Sequence, residues 1–166
     1  MLLDSKGKPV SERQRVVTPD EPTPERVLAG LEELRGALGR FDRVSVGFPG
    51  VIKRGVTYMA VNLHPSWIGF PLQAELEKRW TKPVRTANDA DLQGYGAIQG
   101  DGVELTLTLG TGLGMGLFTN GHLCPGLEFG HHVWRKGKSY EDYLGKRGLE
   151  KHGKKRWNKH LLEAIE

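Results

Sequence analysis

The middle of the chain alternates apolar and polar residues in the pattern of a half-buried strand. Leucines alternate with threonines towards the end of Val103–Leu109, and this two-residue period is typical of a strand with one face on a core. Glycine then occupies every second position from Gly110 to Gly116, strand character resumes at Leu117, and Asn120-Gly121 is a strong turn signal. The pattern therefore predicts a β-hairpin that carries the glycines.

Helical and extended segments alternate over the rest of the chain. Thr23-Pro24 combines a threonine N-cap with a first-turn proline, which predicts the start of a helix. Further helices are predicted at Leu72–Trp80, Ala90–Ile98, Tyr140–Leu149 and Arg156–Ile165. Strands or hairpins are predicted at Met1–Leu3, Val10–Val17, Arg43–Phe48, Val51–Ala60 and Pro83–Ala87, with an irregular loop at Asn62–Pro71. This order predicts an α/β fold with mixed sheets and flanking helices.

Composition narrows the class of protein. The chain has 166 residues, which suits one ordinary domain or two small lobes, and it is 37% hydrophobic with 23 glycines. Its single cysteine, Cys124, excludes an internal disulfide and favours a reducing compartment. No apolar run approaches the roughly 20 residues of a membrane span, and Met1–Asp4 is too short for a signal peptide. We expect a cytoplasmic protein without a membrane partner.

The glycine loop suggests an anion as ligand. Glycine exposes backbone N–H groups and permits close approach, and Thr111 adds a hydroxyl between two glycines, so the loop suits phosphate. It matches neither of two familiar nucleotide motifs, because no Gly-Lys-Ser/Thr follows and a strand rather than a helix comes after the glycines. A glycine-rich hairpin without any ligand is the alternative.

Two further clusters carry polar chemistry. Asn88-Asp89-Ala90-Asp91 directly follows a predicted strand and offers two carboxylates and an amide, although Asp91 also suits the first turn of a helix, where a carboxylate favours the dipole. Glu128 and His131 could together hold one polyol or one metal ion, or could belong to an ordinary exposed turn. Too few ligands accompany Cys124 for zinc, since no Cys-x-Cys or Cys-x-x-Cys pair is present. We predict no metal site built by the protein.

Basic residues concentrate between Arg135 and Lys159, in a chain whose net charge is only +4. This density predicts either a surface for a polyanion, by the charge logic of nucleic-acid binding, or an ordinary solvated helix face. Nucleic acid itself is the weaker candidate, because no helix-turn-helix segment is recognisable.

Five motifs, in order, resemble the signature of the ROK family of sugar kinases, which belong to the actin-like, ribonuclease H-like superfamily. They are Val46-Gly47-Phe48-Pro49-Gly50, Asn62-Leu63, Asn88-Asp89-Ala90-Asp91, Leu107 to Gly114, and Glu128-Phe129-Gly130-His131. The loop from Asn62 to Gly69 and the tail from Tyr140 to Asn158 resemble the polyphosphate glucokinase branch. The resemblance runs over nearly the whole chain and implies an actin-like ATPase fold.

The resemblance also implies roles in phosphoryl transfer to glucose. Asp89 would be the general base that takes the proton of the sugar 6-hydroxyl. Four residues would bind sugar hydroxyls: Asn88, Glu128, His131 and, by a looser local match, Glu141. Backbone N–H groups would bind the transferring phosphate at Gly110, Thr111, Gly112 and Gly114. The donor would be polyphosphate or ATP with Mg²⁺, and no zinc is expected, because the cysteine cluster of many ROK proteins is absent.

Two departures from the family pattern predict a chain truncated at both ends. The opening strand with Asp-x-Gly-Gly-Thr is missing, and so is a glycine-rich donor loop beyond the last helix. The predicted lobes are residues 1–98, with the sugar site at the C-terminal edge, and residues 99–166, with the glycine hairpin and the basic tail. The full-length form would be a homodimer. The open alternatives are an ATP-dependent ROK glucokinase and a non-catalytic sugar-binding fragment.

Overall fold

A computed structural model describes residues 1–60, 63–124 and 129–166. The chain divides into two compact units, Met1–Asn88 and Asp89–Glu166. The first unit contains α1 (Pro24–Gly36), β1 (Val44–Phe48), β2 (Val51–Lys53), β3 (Val56–Met59), a 3₁₀ turn (Pro65–Trp67), α2 (Leu72–Trp80) and β4 (Val84–Asn88). The second contains α3 (Asp89–Tyr95), β5 (Val103–Leu109), β6 (Leu113–Thr119), β7 (His122–Cys124), a 3₁₀ turn (Phe129–His131), β8 (Val133–Arg135), β9 (Lys138–Ser139), α4 (Tyr140–Leu144) and α5 (Lys146–Ile165).

The first unit is built around large buried side chains. Trp67 is 2% exposed and packs against Phe48 and Phe70, with ring centroids 5.1 and 5.3 Å away. Its indole N–H donates to the carbonyl of Pro22 at 2.7 Å, and its own carbonyl accepts from the buried hydroxyl of Thr57. Trp67, which the sequence places in a predicted irregular loop, therefore lies at the centre of this core.

Strands β1 and β4 are parallel and in register from Val44↔Val84 to Phe48↔Asn88, so their carboxyl ends lie side by side. A tight turn at Pro49-Gly50 follows β1, and the N–H of Gly50 donates to the carbonyl of Phe48 at 2.8 Å. The carboxyl ends of parallel strands are where α/β proteins bind ligands. This edge presents Asn88, the last residue of β4.

The second unit contains the predicted hairpin. Strands β5 and β6 are antiparallel, in register from Val103↔Thr119 to Leu109↔Leu113, and β7 pairs with the far side of β6. Asn120 and Gly121 both have positive φ, 47° and 75°, as the predicted two-residue turn requires. Parallel and antiparallel pairings in one chain, with helices beside them, agree with the predicted α/β class.

Helix α3 packs on one face of this hairpin. Gly94 on α3 and Gly116 on β6 both lie against the ring of the fully buried Phe118, where a Cβ would come within 2.8 Å. The missing side chains let the helix and the strand approach closely. The predicted lobes, 1–98 and 99–166, stay a prediction.

The tail of the second unit differs from its predicted helices. Ser139 caps α4 in a capping box with Asp142, and the extended Gly145 (ψ 176°) ends that helix before Lys146. Helix α5 then runs to Ile165 with a kink at Gly153, whose φ is 72°. The predicted helix Tyr140–Leu149 is therefore interrupted at Gly145, whereas the non-helical Gly153 lies in the predicted gap between Leu149 and Arg156.

Three other predictions need correction. The predicted strands Met1–Leu3 and Val10–Val17 do not form, because the only pairing near them, among the described residues, is a single bridge between Leu3 and Pro9. The predicted helix Ala90–Ile98 forms as Asp89–Tyr95 and ends in a turn at Gly96. No helix in the described part of the chain is long and apolar enough to cross a bilayer.

Candidate active site

Asp89 opens α3 directly after β4. Its side chain is exposed, while Ala90 beside it is 8% exposed and anchors the helix. One carboxylate oxygen of Asp89 accepts the N–H of Ala90 at 2.9 Å. The structure thus presents the carboxylate to solvent from the rigid first turn of a helix, a position from which it could accept a proton from a bound hydroxyl.

Asn88 ends β4, at the edge of the first unit where the carboxyl ends of β1 and β4 lie side by side. Its amide Nδ2 donates to the carbonyl of Gly50 at 3.1 Å, which ties the end of β4 to the turn after β1. Gly50 is required there, because a Cβ would collide with the carbonyl of Met59. Asn88 is therefore held in place by the turn that it would share with a ligand.

The glycine turn, residues 110–112, joins β5 to β6. The N–H of Gly110 donates to the carbonyl of Gly112 at 3.1 Å. The carbonyls of Gly110 and Thr111 both accept from the N–H of Lys146, at 2.9 and 3.3 Å. The N–H groups of Thr111 and Gly112 donate to no residue in the described part of the chain, and these are the donors that the turn offers to an anion.

Gly114 lies in β6 rather than in the turn. A Cβ there would meet the Cβ of Ala90 at 2.8 Å and would collide with the hydroxyl of Thr108. The glycine therefore lets the first turn of α3, with Asp89, pack directly onto the start of β6. Its predicted contact with phosphate stays a prediction.

Glu141, the loosest of the sequence matches, reaches the glycine turn from α4. Its Oε2 accepts the N–H of Leu113 at 3.1 Å, and the carboxylate lies where a Cβ of Gly112 would be. The sequence assigned this residue to sugar binding, and the structure shows it bonded to the protein backbone.

His131 ends the 3₁₀ turn that also contains Gly130, and its side chain is exposed. Gly130 is buried against the carbonyl of Leu113, so the turn lies beside the start of β6. The ring of Phe129 stacks on His132 at 5.0 Å. Glu128 lies outside the described residues, and its predicted role stays a prediction.

The start of β6 is where the site residues of the second unit converge. Ala90 packs on Gly114, Glu141 bonds to Leu113, and the turn that carries His131 backs onto the same Leu113. Sequence reasoning missed Lys146, whose N–H holds the glycine turn, and Gly145, whose missing side chain lets the junction of α4 and α5 approach that turn. A glycine after the capped segment Ser139–Leu144 was the only available signal.

Metal ligands are sparse in this site. Within residues 1–60, 63–124 and 129–166, no three side chains of His, Cys, Asp or Glu come close enough together to hold a metal ion. The expectation of no zinc stays a prediction, since Glu128 and its neighbours are not among these residues.

Comparison with known proteins settles the family. The ROK family model matches residues 1–154. The chain belongs to the ROK family. It is 32% identical to a polyphosphate glucokinase of Mycobacterium tuberculosis over 171 residues, covering 96% of this chain and 63% of that protein.

Two solved structures resemble this ROK chain. One is an inorganic polyphosphate/ATP-glucomannokinase from Arthrobacter sp. strain KM, with a TM-score of 0.75 and 34% identity over 89% of this chain and 63% of that one. The other is a ROK family glucokinase from Streptomyces griseus in complex with glucose and AMPPNP, with a TM-score of 0.67 and 27% identity over 90% of this chain and 55% of that one. The actin-like fold is confirmed, and the chain spans less than two thirds of the length of these relatives.

Proposed function

We propose that this chain carries the sugar site and the phosphate turn of a glucokinase that transfers a phosphoryl group from polyphosphate to the 6-hydroxyl of glucose. The observation that supports this most directly is the packing of Ala90 on Gly114. Through this contact, the first turn of α3, which contains Asp89, lies against the hairpin that carries the glycine turn. A base beside a phosphate site is what phosphoryl transfer to an alcohol requires.

In this proposal, named residues accept the proton, stabilise the transferring group and position the sugar. Asp89 accepts the proton of the 6-hydroxyl as its oxygen attacks the terminal phosphorus of the donor. The N–H groups of Thr111 and Gly112 stabilise the charge on the transferring group. Asn88, Glu128 and His131 hold other sugar hydroxyls, and so fix which hydroxyl faces the donor.

Magnesium would arrive with the phosphates of the donor. Mg²⁺ needs only one or two protein carboxylates when phosphates and water supply its other ligands, and the described residues fit that limited demand better than a complete protein cage. When bound, the ion would neutralise part of the donor's charge. The protein's own residues position the sugar and accept its proton.

The choice of polyphosphate over ATP is supported by charge. Helix α5 carries a run of exposed cations on either side of its kink at Gly153, and the M. tuberculosis and Arthrobacter relatives are both named for polyphosphate. An ATP-dependent glucokinase is the alternative. It predicts that this chain forms glucose 6-phosphate from ATP and not from polyphosphate.

The test is a measurement of glucose 6-phosphate formed from each donor with Mg²⁺, together with calorimetric titration of glucose. We expect product from polyphosphate. Asp89→Asn should lower kcat by about 10²- to 10⁴-fold, the usual contribution of a positioned base, with glucose affinity largely retained. Asp101→Asn, which changes another exposed carboxylate in the same unit, is the control and should leave kcat unchanged.

Two results would contradict the proposal. A near-normal kcat in Asp89→Asn would remove Asp89 from the chemistry. Glucose binding without product from either donor would favour a non-catalytic sugar-binding protein, a reading that the partial coverage of the relatives keeps open.

A further inference from the structure

Glu141 makes a contact that sugar binding does not explain. Its carboxylate is partly buried and accepts the N–H of Leu113, the first residue of β6, at 3.1 Å. A hydrogen bond from a backbone N–H to a charged acceptor is stronger than one to a neutral acceptor. This bond fixes the first N–H of β6, where the hairpin ladder begins.

The glycine turn is shaped to receive this carboxylate. A Cβ on Gly112 would overlap the carboxylate of Glu141, whereas a Cβ on Gly110 would meet nothing within 4 Å. Neither glycine has a positive φ that would by itself exclude a side chain. The need for glycine at position 112 therefore comes from Glu141.

The segment that carries Glu141 is itself fixed at both ends. Before it, the N–H of Ser139 donates to Asp142 at 2.9 Å and the N–H of Asp142 donates back to the hydroxyl of Ser139 at 3.2 Å. After it, the N–H of Gly145 donates to the carbonyl of Glu141 at 2.8 Å. A Cβ on Gly145 would come within 3.0 Å of the carbonyl of Thr111, so this junction also needs glycine to approach the turn.

One short segment, residues 141–146, thus bonds to both sides of the glycine turn: it donates to the carbonyls on one side and accepts an N–H on the other. The carbonyls of Gly110 and Thr111 accept the N–H of Lys146, and the N–H of Leu113 donates to Glu141. Between them lie the N–H groups of Thr111 and Gly112. A carboxylate so close to an anion site weakens anion binding through repulsion. Attraction of the anion therefore does not explain Glu141 at this position, whereas its hydrogen bond, which fixes the conformation of the turn, does.

We propose that Glu141 is a positioning residue that holds the glycine turn in its phosphate-binding shape through the Leu113 N–H, rather than a ligand of the sugar. The proposal rests on the proposed function for the identity of the ligand, and on the geometry of the turn for the role. It predicts that the shape of the turn requires a hydrogen-bond acceptor at position 141 and does not require a negative charge there.

The experiment compares Glu141→Ala, Glu141→Gln and the control Glu150→Ala, an exposed glutamate on α5 whose only ion pair is with Lys146 at 3.8 Å among the described residues. Amide hydrogen exchange at Leu113 reports the turn, and titration with tripolyphosphate and with glucose reports the two ligands. In Glu141→Ala we expect exchange at Leu113 to rise and tripolyphosphate affinity to fall, each by about 10-fold or more. Glucose affinity should be unchanged.

The glutamine variant separates the two roles. Glutamine keeps an acceptor oxygen and loses the charge, so Glu141→Gln should restore protection of Leu113 and bind tripolyphosphate at least as tightly as the unaltered chain. Loss of glucose affinity in both variants with Leu113 still protected would overturn the proposal and make Glu141 a sugar ligand. Unchanged exchange at Leu113 in Glu141→Ala would overturn it as well.

A matched pair of glycine variants tests the same contact from the other side. Gly112→Ala should reproduce the loss of Leu113 protection, because its methyl group displaces the carboxylate, whereas Gly110→Ala should not. If the unaltered chain fails to bind tripolyphosphate, the proposed function fails, and exchange at Leu113 still decides whether Glu141 holds the turn.

Discussion

Each of the two units of the chain has its own kind of internal packing. Among its described residues, the first has seven buried apolar side chains in one core: Leu28, Phe48, Trp67, Leu72, Leu76, Trp80 and Val84. In the second, the described buried apolar residues are only Ala90, Leu113, Phe118 and Leu144. There, glycines at helix–strand contacts and a few hydrogen bonds at the turn take over the role that large side chains have in the first unit.

This difference predicts opposite sensitivities. A core of large side chains loses stability when atoms are removed, because cavities remain. A unit whose backbones meet at glycines loses stability when atoms are added, because the neighbours have no room to move. The polar turn of the second unit should in addition respond to charge and pH. The residues that we propose for phosphate chemistry lie in the second unit, so in this proposal function and packing would depend on the same backbone.

Removal of the Trp67 side chain is expected to have the largest effect. Trp67→Ala should lower the free energy of unfolding by about 3–5 kcal/mol, because it leaves a cavity between Phe48 and Phe70 and removes the bond to Pro22. Urea denaturation followed by circular dichroism measures it. Ile68→Ala is the control: this neighbour is 67% exposed, so we expect a change within about 0.5 kcal/mol. Similar losses in both variants would contradict the described core.

Addition of a methyl group to the second unit should have the next largest effect. In Gly116→Ala the new Cβ would lie 2.8 Å from the fully buried ring of Phe118, so we expect a loss of about 1–3 kcal/mol in the same denaturation experiment. Gly110→Ala, with open space around its Cβ, should cost far less. A tolerated Gly116→Ala would mean that the ring of Phe118 does not depend on the open space over Gly116.

Local patterns predicted the elements that form from neighbouring residues. The leucine–threonine alternation predicted β5, and Asn120-Gly121 predicted the turn after β6. Thr23 predicted the start of α1. In each case the signal and the structure lie within a few residues of one another.

Features that depend on distant partners could not be predicted in this way. Trp67 looks like a loop residue in the sequence, and its partner Pro22 is 45 residues away. Leu113 and Glu141 are 28 residues apart, so nothing local showed that the carboxylate would bond to the turn. Val10–Val17 has residues that suit a strand, but a strand also needs a partner to pair with. For the site, residue identities came from the family resemblance, and the contacts between them came from the structure.

The charge of α5 offers a smaller effect. Lys154, Lys155 and Arg156 are exposed and make no ion pair with any described residue. If they contact polyphosphate, their replacement by glutamate should make the slope of log affinity against log salt less steep by about 2, since each phosphate contact contributes roughly 0.7. Glucose affinity, which depends on hydrogen bonds to a neutral ligand, should hardly change with salt.

A control with the same change of charge uses Lys6, Lys8 and Arg13, which are exposed near the start of the chain. Reversal of these three should leave the slope unchanged. An unchanged slope in the α5 variant would make that surface an ordinary solvated helix face, and polyphosphate would then contact the chain chiefly at the glycine turn.

The smallest expected effect is a pH dependence that belongs to the second unit. His160 is 5% exposed, and its ring meets Trp134, Tyr143 and His152 with centroids 6.0, 5.2 and 5.1 Å away. Burial lowers the pKa of His160 from 6.5, and three cations lower it further: Arg156, Arg135 and Lys159. The carboxylate of Glu163 acts in the opposite direction. Burial and the neighbouring His160 also lower the pKa of His152.

A histidine whose pKa is lowered by folding binds protons more readily in the unfolded chain, so its contribution to stability is complete above pH 6.5 and is lost as the pH falls below that value. We therefore expect the Tm to drop when the pH is lowered from about 7.5 to about 5.5, the range in which histidines titrate. His160→Phe keeps a ring in the cluster and removes the titration, so it should flatten this dependence, whereas His122→Gln, at an exposed position on β7, should not. If His160→Phe has the same pH dependence as the unaltered chain, His160 does not couple protonation to the packing of α5. The contrast between the two units would then rest on the glycines of the second unit alone.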